Sequence, residues 1–231
     1  MSSDSAFEKR YVDPKDQSNV EGLLEHFNLP PKVIVFLRKN KRKVQVAIAV
    51  VLIAVVAFSL YRSYLEKRVE EAASALAVAV KEPVESRAGA LQNVAGKYDD
   101  TTSGTWANVE LGHLAMTEER YEDAAGIYLK VREGLKEGNP LYGLAMTGQA
   151  QALEAAGKQD EAYAVFDLLK VVEGYQYTAY SGLARILEAK GEIDKAIAIY
   201  GQYLAILTAD EGSDRQNTII EERIARLKTK K

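Results

Sequence analysis

The chain has 231 residues, a formal net charge of −3, 47% hydrophobic residues and no cysteine. The missing thiols exclude disulfides, thiolate catalysis, cysteine–zinc centres and lipid attachment at Cys. The net charge conceals a division, +3 over residues 1–43 and −6 over residues 61–231. Neither part has the dense one-sided positive field that nucleic-acid binding needs.

Residues 1–18 are polar and mixed in charge, which predicts a disordered cytoplasmic tail. Residues 19–43 form a cytoplasmic amphipathic and basic segment. Val20, Leu23, Leu24 and Phe27 share one face of a short helix, and Pro30-Pro31 ends it and opens the next. Val33, Ile34, Phe36 and Leu37 then lead into the basic run from Arg38 to Lys43, suited to lie against anionic lipid head groups or to dock a partner.

Val44 to Leu60 carry no charge, and eleven of these seventeen residues are Val, Ile, Leu or Phe. As a helix they reach about 26 Å, close to the roughly 30 Å of a bilayer's hydrocarbon core. The expectation is a transmembrane helix over 44–61. Ala57-Phe58-Ser59 meets the pattern of a cleavage site, but 43 residues precede the apolar run, which favours an uncleaved anchor. Lys32, Arg38, Lys39, Lys41, Arg42 and Lys43 flank it on one side, and only Arg62, Lys67 and Arg68 on the other. That imbalance predicts a cytoplasmic N-terminus and a C-terminal domain across the membrane, with Tyr61 and Tyr64 at the far interface.

Residues 62–100 are expected to hold a long helix continuing from the membrane through Val80, a turn at Pro83, and a capping helix over 86–98. Over 101–209 the chain repeats itself. Ala150, Leu153, Gly157, Ala162 and Phe166 recur 34 residues later as Ala184, Leu187, Gly191, Ala196 and Tyr200. Gly112, Ala115, Ala124 and Tyr128 form an upstream copy displaced by 38, with the extra residues expected in Gly134 to Pro140. This period and this alternation of small and aromatic residues are the tetratricopeptide pattern of paired antiparallel helices. Small residues let the two backbones approach, the aromatic fills the space toward the next unit, and Gly157 and Gly191 take the turn, with Glu119 in their place in the first unit. Residues 210–231 complete the stack with a C-terminal capping helix and tail. Ile219, Ile220, Ile224 and Leu227 form its apolar face, and Ser213 is its expected N-cap. The fold class is therefore all-α, a single transmembrane helix followed by a tetratricopeptide solenoid.

No catalytic arrangement accompanies this fold. The two histidines, His26 and His113, fall on opposite sides of the expected membrane helix, and paired glutamates such as Glu118-Glu119 belong to charged helix faces. A non-enzyme with no cofactor, metal or small-molecule substrate is expected. What remains is a groove lined by the first helix of each unit. In the register above its lining is Trp106, Val109, His113, Thr147, Gln151, Glu154, Ser181, Arg185 and Glu188. Trp106, the one tryptophan, is either an anchor for a partner or packed against the preceding helix. Arg185 with Glu154 and Glu188 makes a polar groove suited to an extended or helical peptide.

The stretch from Tyr98 through Leu135 carries a loop of small polar residues (Asp99 to Gly104), a small-residue helix ending near Gly112, and Tyr121 to Ala124 opening the second helix. With one apolar helix running into alanine-rich helix and repeats, it resembles the YfgM-like family of ancillary SecYEG translocon subunits. The resemblance implies a bacterial inner-membrane protein with a periplasmic repeat domain. Its implied partners are translocon subunits, a periplasmic chaperone or exported chains. Two functions follow as expectations: a membrane-anchored adaptor or co-chaperone, or a structural scaffold in a secretion, motility or division assembly.

Overall fold

The computed structural model describes residues 31–207 and 214–230, and among these the regular elements are ten α-helices. They are α1 (Pro31–Lys39), α2 (Lys41–Lys81), α3 (Val84–Lys97), α4 (Thr102–Thr117), α5 (Tyr121–Glu133), α6 (Pro140–Ala155), α7 (Gln159–Leu169), α8 (Gln176–Ala189), α9 (Ile193–Leu207) and α10 (Asp214–Lys228). The expected N-terminal tail, the helix at 19–27 and the Ser213 cap lie outside the described residues. The chain divides into two units, Met1–Leu65 and Glu66–Lys231.

In the first unit a one-residue turn at Asn40 joins α1 to α2, with helical hydrogen bonds on either side of it. The Asn40 N–H donates to the Phe36 carbonyl at 3.0 Å, and the Asn40 carbonyl accepts from the Val44 N–H at 3.0 Å. The run from Val46 to Leu60 leaves its large apolar side chains exposed, among them Ile48, Leu52, Ile53 and Phe58. By length and composition α2 is able to cross a membrane, as the uncharged run predicts.

The second unit opens with a small core of its own. Ala72 and Ala79, two turns apart on one face of α2, pack with Leu91, Val94, Ala95, Tyr98 and Ala107. Arg68 locks this corner. Its Nε donates to both Asp100 carboxylate oxygens at 2.9 Å, and its Nη2 donates to Asp100 Oδ1 at 2.8 Å and to the Lys97 carbonyl at 2.9 Å. That guanidinium holds the Asp100 carboxyl below its ordinary pKa. Thr101 caps α4, its hydroxyl accepting from the Gly104 N–H at 3.1 Å and donating to the Tyr98 carbonyl at 2.7 Å.

From α3 to α10 each helix packs on the next in sequence. The pairs two apart in order that also pack closely are α4 with α6 and α6 with α8, all first helices of their units. Their closer approach puts them on the inner side of the stack. One continuous core runs through it, from Val109 and Tyr128 through Phe166 and Leu183 to Ile220 and Leu227. The capping helix α10 buries Ile220 and Leu227 fully, while Ile219, expected on the same face, is 37% exposed.

The three turns inside the repeat hairpins have the same construction. Gly157 (φ 77°), Gly191 (φ 75°) and Glu119 (φ 59°) take the left-handed conformation. In each turn this residue donates three residues back, and the next N–H donates five back, as Arg120 to Ala115, Lys158 to Leu153 and Glu192 to Leu187, each at 2.9 Å. This pairing satisfies carbonyls that the helix end leaves free. Glu119 thus occupies the predicted turn, with the strain a side chain there entails.

Two expectations about the repeat are corrected. The extra residues of the first interval are not in the connection. That connection, 134–139, is as long as the one between α7 and α8, 170–175, and the additional length lies in α5 and α6. The small residues that receive the aromatic rings include two the repeat comparison passes over. A Cβ on Gly148 would lie 2.7 Å from the Tyr128 ring, and one on Gly182 would lie 2.6 Å from the Phe166 ring. Gly112 makes the same room for Tyr128 from within its own unit, so this ring sits between α4 and α6 with a glycine on each. Ala150 and Ala184 are buried as well, at 0% and 1% exposure.

Candidate functional site

Because α4, α6 and α8 are each packed on several sides, only a narrow strip of each faces the inner side. On α6 the strip is Thr147, Gln151 and Glu154, and on α8 it is Ser181, Arg185 and Glu188, both at i, i+4, i+7 spacing. Two recesses lie along these strips. One, of about 310 Å³, is lined by His113, Met116, Thr117, Tyr128, Leu144, Thr147, Gly148 and Gln151. The other, of about 350 Å³, has Gln151, Ser181, Arg185 and Glu188 on its wall, with Tyr177, Thr178, Tyr200, Arg223 and Arg226. Gln151 belongs to both, so the recesses adjoin.

Six of the nine expected lining residues therefore come together: His113, Thr147, Gln151, Ser181, Arg185 and Glu188. Glu154 stands beside them through Arg185, whose Nε and Nη2 each donate to its carboxylate at 2.6 Å. Val109 does not line the groove. It is fully buried, because α4 presents Glu110, His113 and Thr117 outward and Val109 lies about 100° around the helix from Glu110. Trp106 is partly buried against the main core and lines neither recess.

The residues that sequence reasoning missed come mostly from α10. Arg223 Nη2 donates to the Tyr177 hydroxyl at 3.3 Å, and Lys230, just beyond the helix, donates to Glu188 Oε1 at 2.6 Å. Arg226 Nη2 approaches Glu188 Oε2 at 3.9 Å. The Lys230 hydrogen bond holds the Glu188 carboxyl below its ordinary pKa, with Arg226 and Arg223 acting in the same direction. The Glu154 hydrogen bond raises the Arg185 pKa, so that group stays charged. Arg185 also stands 5.9 Å above the Phe166 ring. The Ser181 hydroxyl oxygen is buried without a hydrogen-bond partner among the described residues.

The first recess is different in character. Met116, Leu144 and the Tyr128 ring form its apolar wall, and His113 meets Tyr128 edge-on at 5.9 Å between ring centroids. The His113 Nδ1 lies 3.8 Å from Glu110 Oε2. The site as a whole is a polar and aromatic groove suited to holding a chain segment.

Residues 35–229 match the family described as tetratricopeptide repeat-like domain. No curated protein sequence matches the chain. Two crystal structures of kinesin light chain nearly identical TPR-like repeats from Podosopora anserina, one of them a point variant, are similar at 16% identity and a TM-score of 0.47. Each comparison covers 73% of this chain and 96% of the other. Repeats of this type generally mediate protein–protein interaction. With the family match running from α1 to the end of α10, the chain belongs to the tetratricopeptide repeat-like domain family.

Proposed function

We propose that this chain is a membrane-anchored, non-enzymatic adaptor or co-chaperone that holds a protein partner in the groove of α4, α6 and α8. The observation that carries this reading is the pair of adjoining recesses meeting at Gln151. The apolar run of α2 supports the anchor, and the excess of Lys and Arg on its N-terminal side supports a C-terminal domain across the inner membrane. A place beside the Sec translocon rests on the resemblance to the YfgM-like family.

Photocrosslinking in intact cells tests the reading, with a photoreactive residue at Gln151 or Arg185. Capture of many secretory chains, or of translocon subunits and a periplasmic chaperone, is the expected result. A single stoichiometric partner favours the scaffold role instead, and no capture at either position sinks the groove. For topology, a cysteine replacing exposed Lys228 should react with a membrane-impermeant thiol reagent once the outer membrane is opened. Labelling only after the inner membrane is ruptured refutes the orientation.

A further inference from the structure

The two recesses differ in charge, and the difference points to the chemistry of the partner. Arg185, Arg223 and Arg226 line the recess between α8 and α10 against one lining carboxylate, Glu188. Counting the groups that pair with these adds Glu154 and Lys230, which leaves four cations facing two carboxylates. Arg185 is held by Glu154, and Lys230 and Arg226 share Glu188. Arg223 differs from them. It donates to the Tyr177 hydroxyl, and among the described residues no carboxylate pairs with it. The carboxylate it feels, Glu188, is already held by Lys230 and Arg226, so its charge is only partly offset beside a recess that also offers hydroxyls from Tyr177, Thr178 and Ser181. Beyond Gln151 the adjoining recess carries no Lys, Arg, Asp or Glu, and Met116, Leu144 and Tyr128 give it an apolar wall.

We infer that the groove binds an extended segment of a partner protein in which an acidic side chain reaches Arg223 and Arg226 while an apolar side chain fills the recess at Met116 and Leu144. This rests on the groove reading given above. The apolar pocket lies between α4 and α6 and the cationic one between α8 and α10, so the two are two helix steps apart. Packed helices stand about 8–10 Å from one another, and an extended chain advances about 3.3 Å per residue. The acidic and apolar positions are therefore about five to six residues apart. A polyanion such as nucleic acid is a poor occupant, because the positive field ends at Gln151. A segment carrying one carboxylate and one apolar side chain matches both walls. A carboxylate held by guanidinium groups makes charge-assisted hydrogen bonds, stronger than those of its neutral amide.

The test is selection of random dodecapeptides displayed on phage against the full-length chain in lipid nanodiscs, followed by titration of the best peptide and its Glu→Gln or Asp→Asn form. The expected selection has Asp or Glu about five to six positions from a Leu, Met or Phe, and the amide form binds about tenfold or more weakly. Arg223→Gln with Arg226→Gln should erase the acidic preference and leave the apolar one. Arg226→Glu, at a side chain 59% exposed, should turn the acidic preference toward Lys or Arg without unfolding the domain. Acidic and amide forms binding equally, or an acidic preference unchanged by both variants, overturn the inference. So does a failure to select any peptide. The groove reading fails separately, through absence of photocrosslinks at Gln151 and Arg185.

Discussion

Replacing Gly182 with alanine tests whether the repeats lock as described. The new Cβ would lie 2.6 Å from three atoms of the Phe166 ring, well inside an ordinary contact of about 3.5–4.0 Å. The ring is fully buried and has Arg185 above it, so it is poorly placed to retreat by the ångström required. Forcing an extra methyl into such a core costs about 1–3 kcal/mol. Alanine is also the better helix former by about 1 kcal/mol, so the net effect alone is ambiguous. Gly201→Ala resolves this. Gly201 sits in α9 with nothing within 4 Å of an added Cβ, so it collects the helix gain without the clash. The two variants should differ by about 1–3 kcal/mol, or about 2–4 °C in melting midpoint per kcal/mol. Circular dichroism of the full chain in detergent micelles measures it. Equal midpoints would mean the ring is not wedged against α8, and the register of the repeats would have to be redrawn.

Glu119→Gly should stabilise the chain by about 0.5–1 kcal/mol, since it relieves a left-handed side chain at some cost in unfolded-state entropy. The same melting measurement should show loss for Gly157→Ala and Gly191→Ala. Ala162→Leu or Ala196→Leu, both at fully buried positions, should cost about 1–3 kcal/mol by overpacking. Burial raises the Tyr128 pKa to about 12 from an ordinary 10.0. Because the unfolded phenol ionises first, the stabilisation is complete below pH 10 and is lost as pH rises toward 12, by up to about 2–3 kcal/mol. Urea titrations at several alkaline pH values should show it, and Tyr128→Phe should remove it. For Glu188 the sign reverses. Its depressed pKa contributes stability above the ordinary carboxylate range that is lost on acidification below it, read as faster hydrogen exchange in α10.

Much of this architecture could be read from periodicity. The 34-residue offset located two helical hairpins, and with the upstream copy it placed Gly157, Gly191 and even Glu119 in turns whose backbone angles agree. Pro83, ahead of α3, and Pro31, the first residue of α1, marked helix boundaries, because proline's missing N–H restricts where it fits. The pattern could not say which small residue meets which ring. Gly148, Ala150, Gly182 and Ala184 look alike in a one-dimensional comparison, and only the rotation of each helix assigns the glycines to Tyr128 and Phe166. Val109 was misplaced for a related reason. The register equates it with Thr147 and Ser181, which are partly buried, and the apolar side chain in that row is covered completely. The contributions of Arg223, Arg226 and Lys230 had no signal, since α10 lies outside the repeat and these contacts join residues 38, 42 and 46 positions apart.

The placement of Tyr128 has a consequence for how the molecule comes apart. A ring anchored in one hairpin and seated between glycines of two means that neither hairpin has a complete interior by itself. In a linear array of such elements the favourable energy resides in the junctions, and each hairpin alone is unstable. Melting one hairpin then deprives its neighbour of a wall, so loosening spreads along the array instead of staying local.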